Sequence, residues 1–227
     1  MNLTTDDTVQ LLTLDDDHQV LNPDTIANWH AALDTVEAVE GPSSLVITGS
    51  GKSFHQGLDL EFLSSVGDGH MDFIKTVHAL FGRLLRLDLP TVSAINGHAQ
   101  AAGAMLSLCT DLRIMRADRG WFRLPEVALG MGFPVVMDRL IRSRIPQPTV
   151  HRLMVLGQQM GGAEAAEHGV VDVAVEGVDA NRELALQQAA ALAAYRGPNL
   201  RNIRTTVHAE LLAHIDADGD RADLFVP

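Results

Sequence analysis

The chain has 227 residues, 46% hydrophobic and 20% charged, enough apolar material for one α/β domain with a sizeable core. Its 17 basic and 29 acidic residues give a net charge of −12, a surface that repels a phosphate backbone and so excludes a general nucleic-acid binder. The longest apolar run, Ala189 to Tyr195, is far short of the roughly 20 residues that span a bilayer, so no membrane segment is expected. No Lys or Arg precedes Lys52, unlike a secretory or mitochondrial presequence, and Leu224-Phe225-Val226-Pro227 is no peroxisomal address. The single cysteine, Cys109, forbids an internal disulfide. The expected location is cytoplasmic.

In chain order, Val9 to Leu14 reads as a short edge strand ending in a turn at Asp15-Asp16-Asp17. Asn22-Pro23 reads as a helix cap followed by proline at the first helical position. Ile26, Trp29, Ala32, Leu33, Val36 and Val39 keep helical spacing until Gly41-Pro42. Leu45 to Thr48 is a buried strand, Phe73 to Leu87 an amphipathic helix, and Thr91 to Ile95 a strand. Asn96-Gly97 turns the chain into a small-residue helix, Ala101 to Cys109, before a strand from Asp111 to Met115. This alternation predicts parallel β-α crossovers rather than hairpins. Beyond Phe133 the pattern is helical, apart from Val170 to Val175. The division expected is a core over residues 1–175 and a helical region over 176–227, whose Glu183–Tyr195 and Leu200–Ile215 segments need a partner surface.

Most familiar chemistries fail on spacing. The ten histidines contain no i, i+4 pair, so no helical zinc site is expected and no metal is assigned. Cys109 lies among Met105, Leu106 and Leu108, where a thiol is inert core. No nucleophile elbow, P-loop or dinucleotide fingerprint occurs. Two glycine-bearing segments come directly after strands: Gly51 to Leu60 and Ile95 to Met105. Both let backbone N–H groups approach a ligand oxygen, the second at a helix N-terminus, although ordinary strand-to-helix turns look the same from glycine spacing alone. A third segment, Trp121 to Gly130, places Glu126 among apolar neighbours, where a carboxyl is raised toward proton-transfer range; a solvated turn residue fits the same pattern.

Together these segments resemble the enoyl-CoA hydratase/isomerase (crotonase) superfamily. The first reads like its G-x-x-F-x-x-G-x-D-L loop through Phe54, Gly57, Asp59 and Leu60. The second reads like I-N-G-x-A-x-G-G-G through Ile95, Asn96, Gly97 and Ala99. Asp111 to Ile114, then Pro125, Glu126, Leu129 and Gly130, then Glu164 to Asp172 continue the match. The resemblance implies an α/β fold, a repeated ββα spiral with a helical C-terminal region, assembled as a homotrimer or hexamer. It implies an acyl-CoA thioester as ligand, with no cofactor beyond the coenzyme A carried by the substrate. Position by position, Leu58 and Ala102 become the backbone oxyanion donors and Glu126 the acid/base. His55, Gly57 and Gly103 surround the donors and, with Phe54 and Met105, are expected substrate contacts. Lys52, just ahead of the first loop, is a candidate phosphate contact or equally a solvated surface lysine. Trp121 and Phe122 are candidates for the acyl pocket, with core packing the simpler reading of both.

The departures are informative. The glycine triplet is Ala101-Ala102-Gly103, and Met105 stands where the hydratases carry a second glutamate. One acid/base beside an oxyanion hole suits the Δ3,Δ2-enoyl-CoA isomerases, some of which share the Met115 to Gly120 run. The alternatives are a hydratase using Glu126 alone and an inactive acyl-CoA-binding member of the family.

Overall fold

The computed structural model of the protein describes residues 1–15 and 19–217, so the Asp16-Asp17 turn and the C-terminal Leu224 to Pro227 lie outside the described residues. β1 (Asn2–Asp6) pairs antiparallel with β2 (Val9–Leu14), from Asn2 opposite Thr13 to Asp6 opposite Val9. The expected edge strand is therefore interior, and its edge partner is a polar strand that carries no apolar alternation. α1 (Pro23–Ala38) begins as its residues require: the Asn22 side chain accepts from the Thr25 N–H at 2.9 Å, and the Asn22 N–H donates to Thr25 Oγ1 at 3.0 Å. Ile26, Trp29, Leu33 and Val36 form its buried stripe.

Three strand pairs come next: β3 (Ser44–Gly49) and β4 (Ser53–His55), β5 (Thr91–Ile95) and β6 (His98–Gln100), β7 (Leu112–Arg116) and β8 (Phe122–Arg123). The first pair leads to α2 (Leu60–Ser65) and α3 (His70–Leu84), the second to α4 (Ala102–Leu108). In each pair the first strand enters a six-stranded sheet ordered β1-β2-β3-β5-β7-β10, and the second enters a four-stranded sheet ordered β4-β6-β8-β9. That alternation is the ββα spiral. The Asn96 side chain ties two of its turns, accepting from the Gly49 N–H at 2.9 Å and donating to Ser53 O at 3.2 Å. α5 (Val135–Arg144), α6 (Gln147–Val150), β9 (Gln159–Met160), α7 (Gly162–Glu167) and β10 (Val173–Val175) complete the two sheets and their cover.

The C-terminal helices do not wait for a partner. α8 (Val178–Leu192) lies across one face of the large sheet, where Ala185 and Ala189 are buried with Val9, Leu11, Val46, Val92, Ala94 and Ile114. Alanine is what lets a helix backbone approach a strand surface this closely, and Asn181 anchors it by donating to Ile114 O at 2.9 Å. The single helix expected over Leu200–Ile215 is broken at His208 into α9 (Pro198–Val207) and α10 (Ala209–Asp216). α10 packs on α3 and α5, and its Leu211 and Leu212 join the main core.

Candidate active site

A cavity of about 300 Å³ opens where the ends of β4, β6 and β8 meet, and its wall includes Leu58, Ala102, Arg123 and Glu126. The first side is the segment after β4. Leu21 binds both neighbours of Leu58: its N–H donates to Gly57 O at 2.7 Å, and its carbonyl accepts from the Asp59 N–H at 2.9 Å. In such a parallel bridge the intervening residue turns its own N–H to the opposite side. Asp59 fixes the direction of the chain beyond Leu58 by capping α2, accepting from the Phe62 N–H at 3.0 Å and from Asn22 Nδ2 at 3.1 Å. Those hydrogen bonds, the one from Phe62 foremost, hold its carboxyl below the usual range, marking it as a structural acid.

The second side is the start of α4. Ala101 stands at φ 49°, ψ −131°, a conformation that glycine adopts far more readily, and its N–H donates to Arg123 O at 3.0 Å. Ala102 then opens the helix, so its N–H has no intrahelical acceptor. Among the described residues neither the Leu58 nor the Ala102 N–H has a protein acceptor. The two segments touch: a Cβ on Gly57 (φ +98°) would sit 2.9 Å from Ala101 Cβ and 3.2 Å from Ala102 N. Only glycine combines that backbone conformation with that contact.

Behind this wall stands His55. Fully buried, its imidazole is pushed down to about 3 by desolvation and stays neutral. Its Nδ1 accepts from the Gly57 N–H at 3.0 Å, which assigns the proton to Nε2. A side chain on Gly103 would come within 2.4 Å of His55 O. His55, Gly57 and Gly103 are therefore supports that bring two loops together.

Glu126 closes the cavity from the third side, at the head of a short 3-10 turn (Glu126–Leu129) that ends in Gly130. Glu126 is 6% exposed, and its Oε2 has no hydrogen-bond partner among the described residues. Desolvation pushes the carboxyl up to about 7, against the opposing pull of its backbone hydrogen bond and of Arg123. A carboxyl raised toward neutrality, in the same cavity wall as two residues whose N–H groups lack a protein acceptor among the described residues, can move protons beside an oxygen that gains charge.

Several expected contacts are corrected. Phe54, Phe122 and Met105 are fully buried core residues and do not line the cavity. Strand alternation explains one of them: it sends Phe122 inward and the adjacent Arg123 to the cavity. Trp121 is 44% exposed and lies outside the cavity wall; Lys52 is exposed just before β4, also outside the cavity wall, a position that leaves its expected role as a phosphate contact as it stood. Sequence reasoning missed Arg123, Gln56 and Gln100, although the same alternation that buries Phe122 points to Arg123. Among the described residues no cluster of His, Cys, Asp or Glu is placed to hold a metal, and no helix is long and apolar enough to cross a membrane.

A spiral of ββα turns whose loops bring backbone donors and one buried carboxyl to a single cavity is the crotonase arrangement. The chain belongs to the family described as Enoyl-CoA hydratase/isomerase, which matches residues 4–218. It is similar to enoyl-CoA delta isomerase 3 of Arabidopsis thaliana, 33% identical over 215 residues that cover 90% of each chain. It is also similar to the peroxisomal enoyl-CoA delta isomerase 2 of that plant, 32% identical over 212 residues and 88% of each. Its fold superposes on a Mycobacterium tuberculosis protein described in an apo structure as an enoyl-CoA isomerase (TM-score 0.87, 27% identity, 96% and 94% of the two chains) and in another structure as a probable enoyl-CoA hydratase (TM-score 0.88, 27% identity, 96% and 92%).

Proposed function

We propose that the protein moves a double bond from C3 to C2 of an enoyl-CoA. The observation that carries this reading is that, among the described residues, Glu126 is the only carboxylate lining a cavity that Leu58 and Ala102 also line. Glu126 takes a proton from C2 of the 3-enoyl thioester, and the electron pair delocalises into a dienolate. The two N–H groups hold the dienolate oxygen; one such donor contributes about 2.7–4 kcal/mol to a transition state. Glu126 then returns the proton at C4, leaving the double bond between C2 and C3. One group must act as base and then as acid, and a carboxyl near neutrality serves both steps. The position of the hydratases' second acid holds buried Met105, and relatives named delta isomerases support the same reading.

The test is a paired assay on one sample. Isomerisation of a 3-enoyl-CoA is expected to outrun hydration of the matching 2-enoyl-CoA, and the reverse order overturns the proposal. Hydration is the second reading, favoured by the Gln56 and Gln100 amides in the wall, which offer sites for a water. A homotrimer or hexamer is part of the proposal on family resemblance alone, since α8 covers its own sheet and no longer argues for a partner. A sedimenting monomer at micromolar concentration overturns that part.

A further inference from the structure

The wall of the cavity carries a cation that the isomerisation does not use. Arg123 extends from β8, half-buried, beside Glu126. Among the described residues its Nε, sealed from solvent, has no hydrogen-bond partner, and its guanidinium forms no ion pair with a carboxylate. Four other arginines of this acidic chain are held by carboxylates: Arg83 by Asp34 and Glu37, Arg86 by Asp216, Arg116 by Asp118, and Arg204 by Asp111, while Arg113 also leaves one buried Nη without a partner among the described residues. The sealed Nε is out of a ligand's reach, but the Nη donors, which have no protein partner among the described residues, remain free to meet an anion that enters the cavity. The charged group that acts on it is Glu126, which is neutral for part of each catalytic cycle, and the neighbouring Gln56 and Gln100 are uncharged.

We infer that Arg123 binds a carboxylate on the acyl chain, so that the substrate class is a short dicarboxylic acyl group held as its mono-thioester with coenzyme A. A planar guanidinium matches a carboxylate in bidentate fashion. The coenzyme's phosphates lie at the far end of the pantetheine arm from the thioester carbonyl. Arg123 instead shares a cavity of about 300 Å³ with Glu126 and the Leu58 and Ala102 donors, where the acyl chain belongs. The inference rests on the isomerase reading only for which bond moves, since the carboxylate would be recognised in any acyl thioester seated there.

The test uses two saturated six-carbon probes, hexanoyl-CoA and adipoyl-CoA, which differ by a terminal carboxylate and cannot be isomerised. Calorimetry on the wild-type protein is expected to show adipoyl-CoA bound about tenfold tighter or more, the scale of a hydrogen bond to a charged group. Arg123→Gln is expected to collapse the affinity ratio toward one, and Arg123→Lys to retain part of it. Equal wild-type affinities overturn the inference, as does a ratio that survives Arg123→Gln. An equal loss for both probes also overturns it, assigning Arg123 to the coenzyme or to the support of Glu126. If Arg123→Gln fails to fold, the wild-type ratio and the lysine variant decide. A clear adipoyl preference in a protein that isomerises no 3-enoyl thioester fells the isomerase reading and leaves this one standing.

Discussion

Two regions of the molecule bury charge, and they treat it in opposite ways. Behind the large sheet, Arg204 of α9 is 5% exposed and fully engaged: its Nε meets Asp111 Oδ1 at 3.2 Å, and its Nη atoms meet Asp111 Oδ2 and the carbonyls of Leu87 and Leu89. Asp111 in turn accepts from the Thr91 N–H and hydroxyl at 2.8 and 2.9 Å. At the cavity, Glu126 Oε2 and the Leu58 and Ala102 N–H groups are left without protein partners among the described residues. A completed network holds elements together. An incomplete one stores interactions for a ligand, at a cost in stability that the first kind supports.

The contrast breaks most sharply at Glu126. Glu126→Gln is expected to lower isomerisation by about 10²–10⁴-fold while acyl-CoA affinity stays within a few-fold, measured by turnover and by calorimetry. Near-wild-type turnover would remove the assigned base. Arg204→Met should do the reverse, leaving the chemistry of the folded protein intact while costing about 3 kcal/mol of stability, because it strands the partly exposed Asp111 carboxylate. Thermal unfolding should show the midpoint falling by roughly 6–12 °C.

A comparable effect is expected from pH alone. Below an ordinary 4.5 the Glu126 carboxyl is protonated in both folded and unfolded chains, but between 4.5 and about 7 only the unfolded chain has released the proton. The folded state then binds more protons, so stability falls as pH rises through this window and levels off above it. Glu126→Gln removes this dependence and should be the more stable protein at pH 8, by a difference on the order of 3 kcal/mol. Base catalysis runs the other way, so wild-type kcat/KM should climb with pH and level off above about 7. A flat profile across pH 5–8 would detach Glu126 from the proton transfer. The smallest effect concerns Ala101, whose positive φ costs more than the flexibility glycine adds to the unfolded chain. Ala101→Gly should gain about 1 kcal/mol by denaturant titration, and a loss would show that the Ala101 methyl contributes packing that outweighs its strain.

Much of this is legible in the residues. Periodicity locates the buried stripe of α1 and the strands β3, β5 and β7, because each buries a face whose spacing the chain must keep. Leu58, Ala102 and Glu126 stand out because glycine loops and a buried acid are unusual enough to carry a resemblance. The polar β1 strand is invisible, since an exposed edge needs no apolar alternation. The four-stranded sheet is equally hidden, as strands of two or three residues are too short to show a period. The alanine stretch of α8 reads as a surface seeking another chain, because helical composition does not say which sheet a helix will cover. Phe54, Met105 and Phe122 mislead for a related reason: proximity in sequence to a site residue says nothing of which side of a strand or helix faces the ligand.

The way the chain end closes the structure also bears on its synthesis. Arg204 reaches a carbonyl 117 residues earlier in the chain, and Arg86 pairs with Asp216 across 130. Until those last helices leave the ribosome, the ends of β5 and β7 and the apolar surfaces of α3 and α5 that α10 covers stay open to water. The nascent spiral must therefore wait, partly assembled and adhesive, for these C-terminal helices. A chain truncated before Gly197 is expected to expose the surfaces of α3 and α5 that α10 covers, and limited proteolysis of such a variant should show cleavage that the full chain resists.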